Sequence, residues 1–408
     1  MHLLLIHEIF TTPDEGGGTR HYELAKYLIQ YGHKVSVIAS DVDYLSGKKR
    51  MKKSEIKEGI EIIYASTFSS VHKSFFTRGL AFLYFSFSSF FEALKVHHFD
   101  IVIGTSPPLF QAITSLVIAK FKRKKFVYEV RDLWIDFANE LGVIRNEFIL
   151  KLLKKLENLL YREADLIIIN SPGFLSYIPT FIPKEKVILI PNGVDTEFFS
   201  NSVEKDKELS LRLGLSDKFV VMYTGNLGIA NDLDTILETA NLLKDVRDIR
   251  FVLVGGGIRK DEIKKRIDIE GIENVILLEP VSKREIPKVI SLADVCLATI
   301  KNTPLLQIVY PNKVFDYMAS GKPTIVTISG VIKDVIEESN GGVYVPPGSP
   351  EKLKEAILYY YSNKELVVLH GRNAKSYVKE HFERKVIAKQ LEIALLQLIE
   401  KQDKISNR

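Results

Sequence analysis

The sequence predicts an α/β protein made of two doubly wound, Rossmann-like domains. Three observations carry this. Short β-branched runs without period-2 alternation recur along the 408 residues, and continuous apolar strands belong to parallel sheets covered on both faces. Amphipathic helical segments separate them, and strand–helix alternation defines the α/β class. The whole pattern restarts near residue 219, after a turn signal and a polar stretch.

The strand candidates of the first half lie at 3–6, 34–39, 61–64, 101–104, 126–130, 166–169 and 187–190. Those of the second half lie at 219–223, 250–254, 275–278, 295–298, 324–326 and 343–345. Helical patterns between them include 21–30, 233–243 and 286–292. The opening run Leu3-Leu4-Leu5-Ile6 lacks a basic flank and breaks at His7-Glu8, so it reads as a buried first strand, not a secretory signal. The longest uncharged run, 79–91 between Arg78 and Glu92, falls short of the roughly 18–20 residues that span a bilayer.

Pro191-Asn192-Gly193-Val194-Asp195 is a turn signal, and the polar stretch 201–217 follows it. The boundary is therefore set at 195/196, giving an N-terminal domain over 1–195 and a C-terminal domain over 196–383. The segment from 384 to 402 carries Val386, Leu391, Ala394, Leu395 and Leu398 at helical spacing. It is expected to be one amphipathic helix, and 384–408 to pack back on the first domain.

Composition narrows the class. Hydrophobic residues make up 46% and charged residues 26%, which excludes a disordered or low-complexity chain. The lone Cys296 excludes a disulfide framework and a multi-cysteine zinc site, and suits a reducing, cytoplasmic compartment. A net charge of +5 permits anionic partners without requiring nucleic acid. The sequence shows no metal-ligand constellation, Walker sequence or nucleophile elbow.

Doubly wound sheets bind ligands beyond the carboxyl ends of their strands, so the loops there hold the candidate residues. Gly16-Gly17-Gly18-Thr19 precedes a helix, where backbone N–H groups and the helix dipole favour an anion. His21 takes the place of the third glycine of a dinucleotide fingerprint. Tyr223-Thr224-Gly225-Asn226-Leu227-Gly228 and Val254-Gly255-Gly256-Gly257-Ile258-Arg259-Lys260 are two more glycine turns after strands. Each reads as a phosphate approach or as a plain tight turn, and Arg259 and Lys260 as diphosphate counter-charges or as a solvated face. In the run from Pro311 to Pro323 a helix should start near Asn312 and stop at Gly321. Lys313 and Asp316, three apart, then share a face. They suit a phosphate and the ribose hydroxyls, or form a surface ion pair.

Val130-Arg131-Asp132-Leu133-Trp134 ends an apolar strand with a charged pair. Asp132 could orient or deprotonate a hydroxyl, or close an internal pair with Arg131. From 74 to 94 the chain carries seven phenylalanines, among them Phe82, Phe85 and Phe87, and basic runs lie at 48–53 and 120–125. An aromatic helix beside basic patches suits an anionic bilayer surface; a buried core helix is the other reading.

Together these runs resemble the family 4 retaining glycosyltransferases, which have the GT-B fold. The resemblance includes Gly16 to His21, Gly32-His33-Lys34-Val35, Pro191 to Asp195, Gly225 to Gly228, Val254 to Gly257, Ala293-Asp294-Val295, Pro311 to Pro323 and Val345-Pro346-Pro347-Gly348. It implies two domains facing across a cleft and a nucleotide diphosphate sugar, with uracil the commonest base, as co-substrate. It implies no tightly bound cofactor. Arg131 to Trp134 and the aromatic helix are similar to a branch serving O-antigen, capsule and exopolysaccharide synthesis, including N-acetyl-L-fucosamine transferases. That branch implies a UDP-linked amino or deoxy sugar donor. It also implies a lipid-diphosphate-linked acceptor and a peripheral position on the inner face of the cytoplasmic membrane.

Carried onto this chain, the resemblance assigns Lys313 and the loop of Gly225, Asn226 and Gly228 to the diphosphate, with Arg259 and Lys260 near it. Asp316 holds the ribose, Asn312 is a further donor-binding residue, Val281 faces the base, and Gly17 and Gly18 approach the phosphates. Asp132, Arg131, Arg20 and His21 lie on the acceptor side, and Phe82, Phe85 and Phe87 contact the membrane. Two departures stand out. Ile308 occupies the first position of the family's acidic pair, and Asn226 and Asn231 stand where many members carry Arg and Lys. A UDP-sugar 2-epimerase of the same architecture and a non-catalytic membrane-surface scaffold are the alternatives. A dehydrogenase is disfavoured because no Gly-x-Gly-x-x-Gly opens either half.

Overall fold

The computed structural model describes residues 1–43, 47–68, 75–200 and 205–406, with side chains from 77 at the start of the aromatic helix and up to 400 at the C-terminus. The side chains of Phe75 and Phe76, part of the polar stretch after 200 and the lysine-rich tail side chains lie outside the described residues.

Two compact units form. The first comprises Met1–Thr11, Thr19–Pro191 and Lys385–Arg408, and the second Thr12–Gly18 and Asn192–Arg384. The segment Thr12–Gly18, placed in the first domain by sequence, is thus grouped with the second unit.

In the first unit β1 (His2–Ile6), β2 (Lys34–Ser40), β3 (Ser54–Lys57), β4 (Ile60–Ala65), β5 (Ile101–Ser106), β6 (Lys125–Val130), β7 (Leu166–Ile169) and β8 (Val187–Leu189) make one sheet. Its order is β3-β4-β2-β1-β5-β6-β7-β8, parallel except for the β3–β4 pair. Its helices are α1 (Arg20–Gln30), α2 (Phe75–Lys95), α3 (Leu109–Lys122), α4 (Trp134–Glu140) and α5 (Glu147–Glu163). Strand order reverses between β1 and β5, and that crevice is where such sheets bind ligands.

The second unit repeats the plan. Its strands are β9 (Phe219–Thr224), β10 (Ile249–Val254), β11 (Val275–Leu278), β12 (Val295–Ala298), β13 (Thr324–Val326) and β14 (Gly342–Tyr344). They run parallel in the order β11-β10-β9-β12-β13-β14, so the switch point falls between β9 and β12. Helices α6 (Thr196–Ser200), α7 (Lys207–Arg212), α8 (Leu233–Leu242), α9 (Lys260–Glu270), α10 (Ile286–Ser291), α11 (Asn312–Ala319), α12 (Val331–Ser339), α13 (Pro350–Ser362) and α14 (Lys364–His381) complete it.

Most central strands are wholly buried: every residue of β5, β7, β9 and β12 is. This is why they read as unbroken apolar runs. Helix α15 (Arg384–Ser406) returns to the first unit and places Ile387, Ala388, Leu391 and Leu395 in the core with Leu3, Leu5 and Leu24. Tyr31 Oη bonds the Lys385 carbonyl at 3.0 Å, and His33 Nε2 meets Glu392 at 2.7 Å.

Helix α2 corrects one expectation. Phe85 is completely buried, on the stripe Ala81, Phe85, Ser89 and Ala93 that repeats every four residues. It is core and touches no bilayer. Phe82 is half-buried. The outward face is Leu80, Leu83, Tyr84, Phe87 and Phe91, with Phe87 the most exposed at 66%. Among the described residues no helix is long and apolar enough to cross a membrane.

Candidate active site

The carboxyl end of the second sheet gathers two glycine loops that lie apart in sequence. After β9, Gly225 takes φ +135° and donates its N–H to the Val254 carbonyl at 2.9 Å. After β10, Gly255 takes φ +155°, and a Cβ there would lie 1.9 Å from the Gly225 oxygen, so only glycine lets these loops interlock. Leu227 N–H donates to Gly256 O at 2.7 Å. The Gly225 and Leu227 amides are therefore used inside the protein. Among the described residues, those of Asn226 and Gly228 donate to no backbone carbonyl.

Into this corner α11 delivers Lys313. Its Nζ is buried without a hydrogen-bond partner, 3.8 Å above the centroid of the Tyr223 ring. A Cβ on Gly225 would stand 3.0 Å from that nitrogen. Burial alone pulls the amine down to about 7. The neighbouring Asn312 Oδ1 is also buried and unpartnered. Its Nδ2 lies 3.8 Å from where a Gly18 Cβ would be, so Gly18 is brought to the α11 N-terminus.

One turn along α11, Asp316 Oδ2 accepts from Lys283 Nζ at 2.7 Å, with both side chains largely buried. Lys283 lies over the Phe199 ring at 4.9 Å. The Lys283 and Arg284 backbone amides donate to the Glu15 and Pro13 carbonyls at 3.0 and 3.1 Å, and Arg284 pairs with Asp14. Val281 follows Pro280, whose ring packs on Gly256. Sequence reasoning passed over Lys283, because a lysine in a Ser-Lys-Arg turn carries no signal of its own.

Two expected diphosphate cations are spent elsewhere. Arg259 forks onto Asp234 at 2.8 and 2.9 Å and also bonds Glu262. Lys260 pairs with Glu279. Ile308 lies in a short 3-10 turn, and its neighbour Gln307 accepts from Ser329 Oγ at 2.8 Å. Nothing acidic replaces Ile308 on that turn.

The first sheet ends in a second polar cluster. His7 Nε2 faces Arg131 Nη1 at 3.1 Å. A guanidinium only donates, so Nε2 is the acceptor and Nδ1 carries the proton, which points at Thr105 Oγ1, 3.2 Å away. Burial, then His21 and Arg131, hold His7 well below the usual imidazole range, hence neutral. Asp132, beside Arg131, is raised by burial to about 6 against the pull of that arginine. It remains ionised at neutral pH and able to accept from a hydroxyl.

Glu8 is a residue that sequence reasoning missed. It is 8% exposed, its Oε2 has no partner, and burial lifts its carboxyl to about 8 despite Arg78. A single acidic residue after a strand gives no pattern to read.

Arg20 and His21, expected on the acceptor side, are 3% and 7% exposed. Arg20 donates to Glu129 at 3.1 Å and to the Ile190 and Pro191 carbonyls at 2.7 and 2.5 Å. His21 Nε2 holds the other Glu129 oxygen at 2.5 Å. Burial pushes the Glu129 carboxyl up, but His21, Arg20 and Arg131 outweigh it and keep it ionised. This network ties α1 to β6 and the end of the sheet, and it engages both side chains.

A repeated doubly wound plan, with an unpartnered buried amine at a switch point, places a candidate anion site at the carboxyl end of the second sheet. Residues 15–198 match Glycosyltransferase Family 4, and residues 218–363 match Glycosyl transferases group 1. The chain belongs to the family 4 glycosyltransferases. It is similar to the putative colanic acid biosynthesis glycosyl transferase WcaI of Escherichia coli (24% identity over 95% of this chain and 98% of that one). It is 27% identical to the putative teichuronic acid biosynthesis glycosyltransferase TuaH of Bacillus subtilis over 54% of this chain and 53% of TuaH. Among solved structures, a sucrose-phosphate synthase from Thermosynechococcus elongatus superposes with TM-score 0.79 (17% identity, 98% of this chain, 99% of that one). HepE of Anabaena in complex with UDP-glucose gives 0.73 (18% identity, 97% and 100%). These neighbours establish the GT-B fold.

Proposed function

We propose that the protein transfers a sugar from a nucleoside diphosphate donor to a lipid-diphosphate-linked saccharide, with retention at the anomeric carbon. The donor is a UDP-linked N-acetylamino or deoxy sugar, and the reaction serves bacterial surface polysaccharide synthesis at the inner face of the cytoplasmic membrane. The observation that carries this reading is Lys313, whose Nζ lacks a partner beside Gly225 at the switch point of the second sheet. The names of WcaI and TuaH support polysaccharide synthesis, and HepE was solved with UDP-glucose.

In this reading Lys313 and the Asn226 and Gly228 amides meet the diphosphate. Their charge and dipoles are in place before the bond breaks, the kind of preorganisation worth about 3–4 kcal/mol for a key donor. Asp316 takes the ribose hydroxyls, Val281 faces the base, and Gly17 and Gly18 let the backbone approach the phosphates. Asp132 accepts a hydrogen bond from the acceptor hydroxyl and orients it. The acceptor oxygen attacks C1 on the face that the diphosphate leaves. The C1–O bond breaks as the new one forms, and the hydroxyl proton passes to the departing phosphate oxygen. No protein nucleophile is required.

A thermal-shift panel of UDP, GDP, ADP and CMP, with UDP-sugars and NADH alongside, tests the donor. A ligand that binds only the native state adds ~2.7 kcal/mol of apparent stability at a hundredfold excess over its Kd. A shift with one nucleoside diphosphate and none with NADH is expected. No shift with any nucleotide would overturn the reading. Product analysis with the donor alone separates transfer from 2-epimerisation.

A further inference from the structure

We propose that above neutral pH Lys313 stands in the free protein largely as an uncharged amine and takes a proton from solvent when a nucleoside diphosphate binds, so that the ligand calls up its own counter-charge. This deepens the donor-site reading and rests on it.

The Lys313 Nζ is out of contact with water and has no hydrogen-bond acceptor. An ammonium carries three donors and is costly to bury unpaired. Among the described residues its one electrostatic companion is the Tyr223 ring face at 3.8 Å, a weaker counterpart than a carboxylate. The acidic group nearest along α11, Asp316, is engaged by Lys283. Burial holds the Tyr223 phenol far above neutral pH, and that of Tyr317 one turn along α11 likewise, so neither supplies a negative charge. The two bases in the adjoining loop, Arg259 and Lys260, are neutralised by Asp234, Glu262 and Glu279. Burial brings the amine down to about 7, so near neutral pH a large part of it is unprotonated.

A diphosphate reverses the balance. Its oxygens supply the missing acceptors and an opposite charge, both of which favour the ammonium. The lysine's four-carbon stem lets the nitrogen swing from the ring to a phosphate. The charge is then created where the leaving group sits. A nucleoside without phosphates offers nothing to pair with it, so the same residue discriminates against it.

The test is calorimetric titration of UDP, and if UDP fails of GDP and ADP, into the full chain at about pH 8. There the ligand's own terminal phosphate is already ionised. Measured in buffers of different ionisation enthalpy, the heats give the number of protons exchanged. Uptake approaching one proton per diphosphate is expected. Uridine should take up none, and the variant Lys313→Met, which keeps the bulk of the stem, should bind the diphosphate weakly and without uptake. Binding without proton uptake in the unmodified protein, or uptake that persists in Lys313→Met, overturns the proposal alone. Failure of all three diphosphates to bind overturns the donor-site reading and the proposal with it.

Discussion

Lys283 and Asp316 face each other at 2.7 Å inside the second unit, their side chains 11% and 17% exposed. Removing one member of such a pair leaves the other charge buried, which costs about 3–5 kcal/mol, whereas replacing both is often neutral. Asp316→Asn is therefore expected to lower the melting temperature and to weaken UDP binding. The double variant Lys283→Met/Asp316→Asn separates the two effects. It should regain the melting temperature while UDP binding, followed by calorimetry, stays weak. If the double variant binds UDP as the unmodified protein does, Asp316 serves only to balance Lys283 and does not hold ribose.

Gly225 and Lys313 are coupled sterically, and this gives a second expectation. Gly225→Ala places a methyl 3.0 Å from the amine at a φ of +135°, a region that disfavours any side chain. The backbone strain is of order 1–3 kcal/mol. Lys313 must also move from the Tyr223 ring. Chemical denaturation should show the loss of stability, and donor affinity should fall with it. Gly271→Ala, at a helix end with φ +61° and open space around it, should show strain without loss of affinity.

These contacts explain how far the sequence could be read. The parallel strands were legible because full burial makes them continuous apolar runs, as in β5 and β9. Strand β3 was not, because Ser-Glu-Ile-Lys is a short, mostly exposed antiparallel edge with no apolar run. Lys313 was legible because α11 has clear ends: Asn312 opens it, and Gly321 turns the chain away after it at φ +66°. Arg259 and Lys260 misled because their partners Asp234 and Glu279 lie on other elements, 25 and 19 residues away. Phe85 misled because the other phenylalanines around it hid the phase of the helix. The small residues Ala81, Ser89 and Ala93 mark its buried side.

The Glu129 network makes the third case. Glu129→Gln leaves Arg20 buried with a neutral partner and removes the charge that His21 holds. A loss of about 3–5 kcal/mol is expected from equilibrium unfolding. If these residues only tie the sheet together, any variant protein that remains folded should retain its KM for acceptor. A raised KM in folded protein would return Arg20 and His21 to the acceptor side.

Glu8 sets a pH dependence of stability. Its carboxyl rises from 4.5 to about 8 on folding, so between these values the native state holds a proton that the unfolded chain has released. Stability contributed by this group is therefore fully present below about 4.5 and is lost progressively as pH rises toward 8. The span corresponds to ~5 kcal/mol at most, using 1.36 kcal/mol per pH unit. Glu8→Gln keeps the shape and cannot ionise. It should match the unmodified protein near pH 5 and exceed it by a few kcal/mol at pH 9, as read by denaturant midpoints. Parallel stability–pH curves for the two proteins would mean that Glu8 is ionised in the fold.

The outward face of α2 carries Phe87 and Phe91, whose rings meet edge-on with centroids 5.0 Å apart. They are 66% and 46% exposed, and Tyr84 and Leu80 continue the same stripe toward the start of the helix. Lys122 at the end of α3 brings its charge beside α2, its Nζ donating to the Leu94 carbonyl at 3.0 Å, whereas Lys95 and Lys120 are paired with Glu92 and Glu163. Apolar side chains flanked by bases suit the boundary of an anionic bilayer. Phe87→Ser/Phe91→Ser removes apolar surface that is already in water, so the melting temperature should change little. Co-sedimentation with phosphatidylglycerol-containing vesicles should fall several-fold, and high salt should weaken what remains by screening the bases. Undiminished sedimentation would remove α2 from the membrane reading. Phe85→Ser is the contrasting control: it empties a fully buried site and should cost about 3–5 kcal/mol of stability whatever happens at the vesicle.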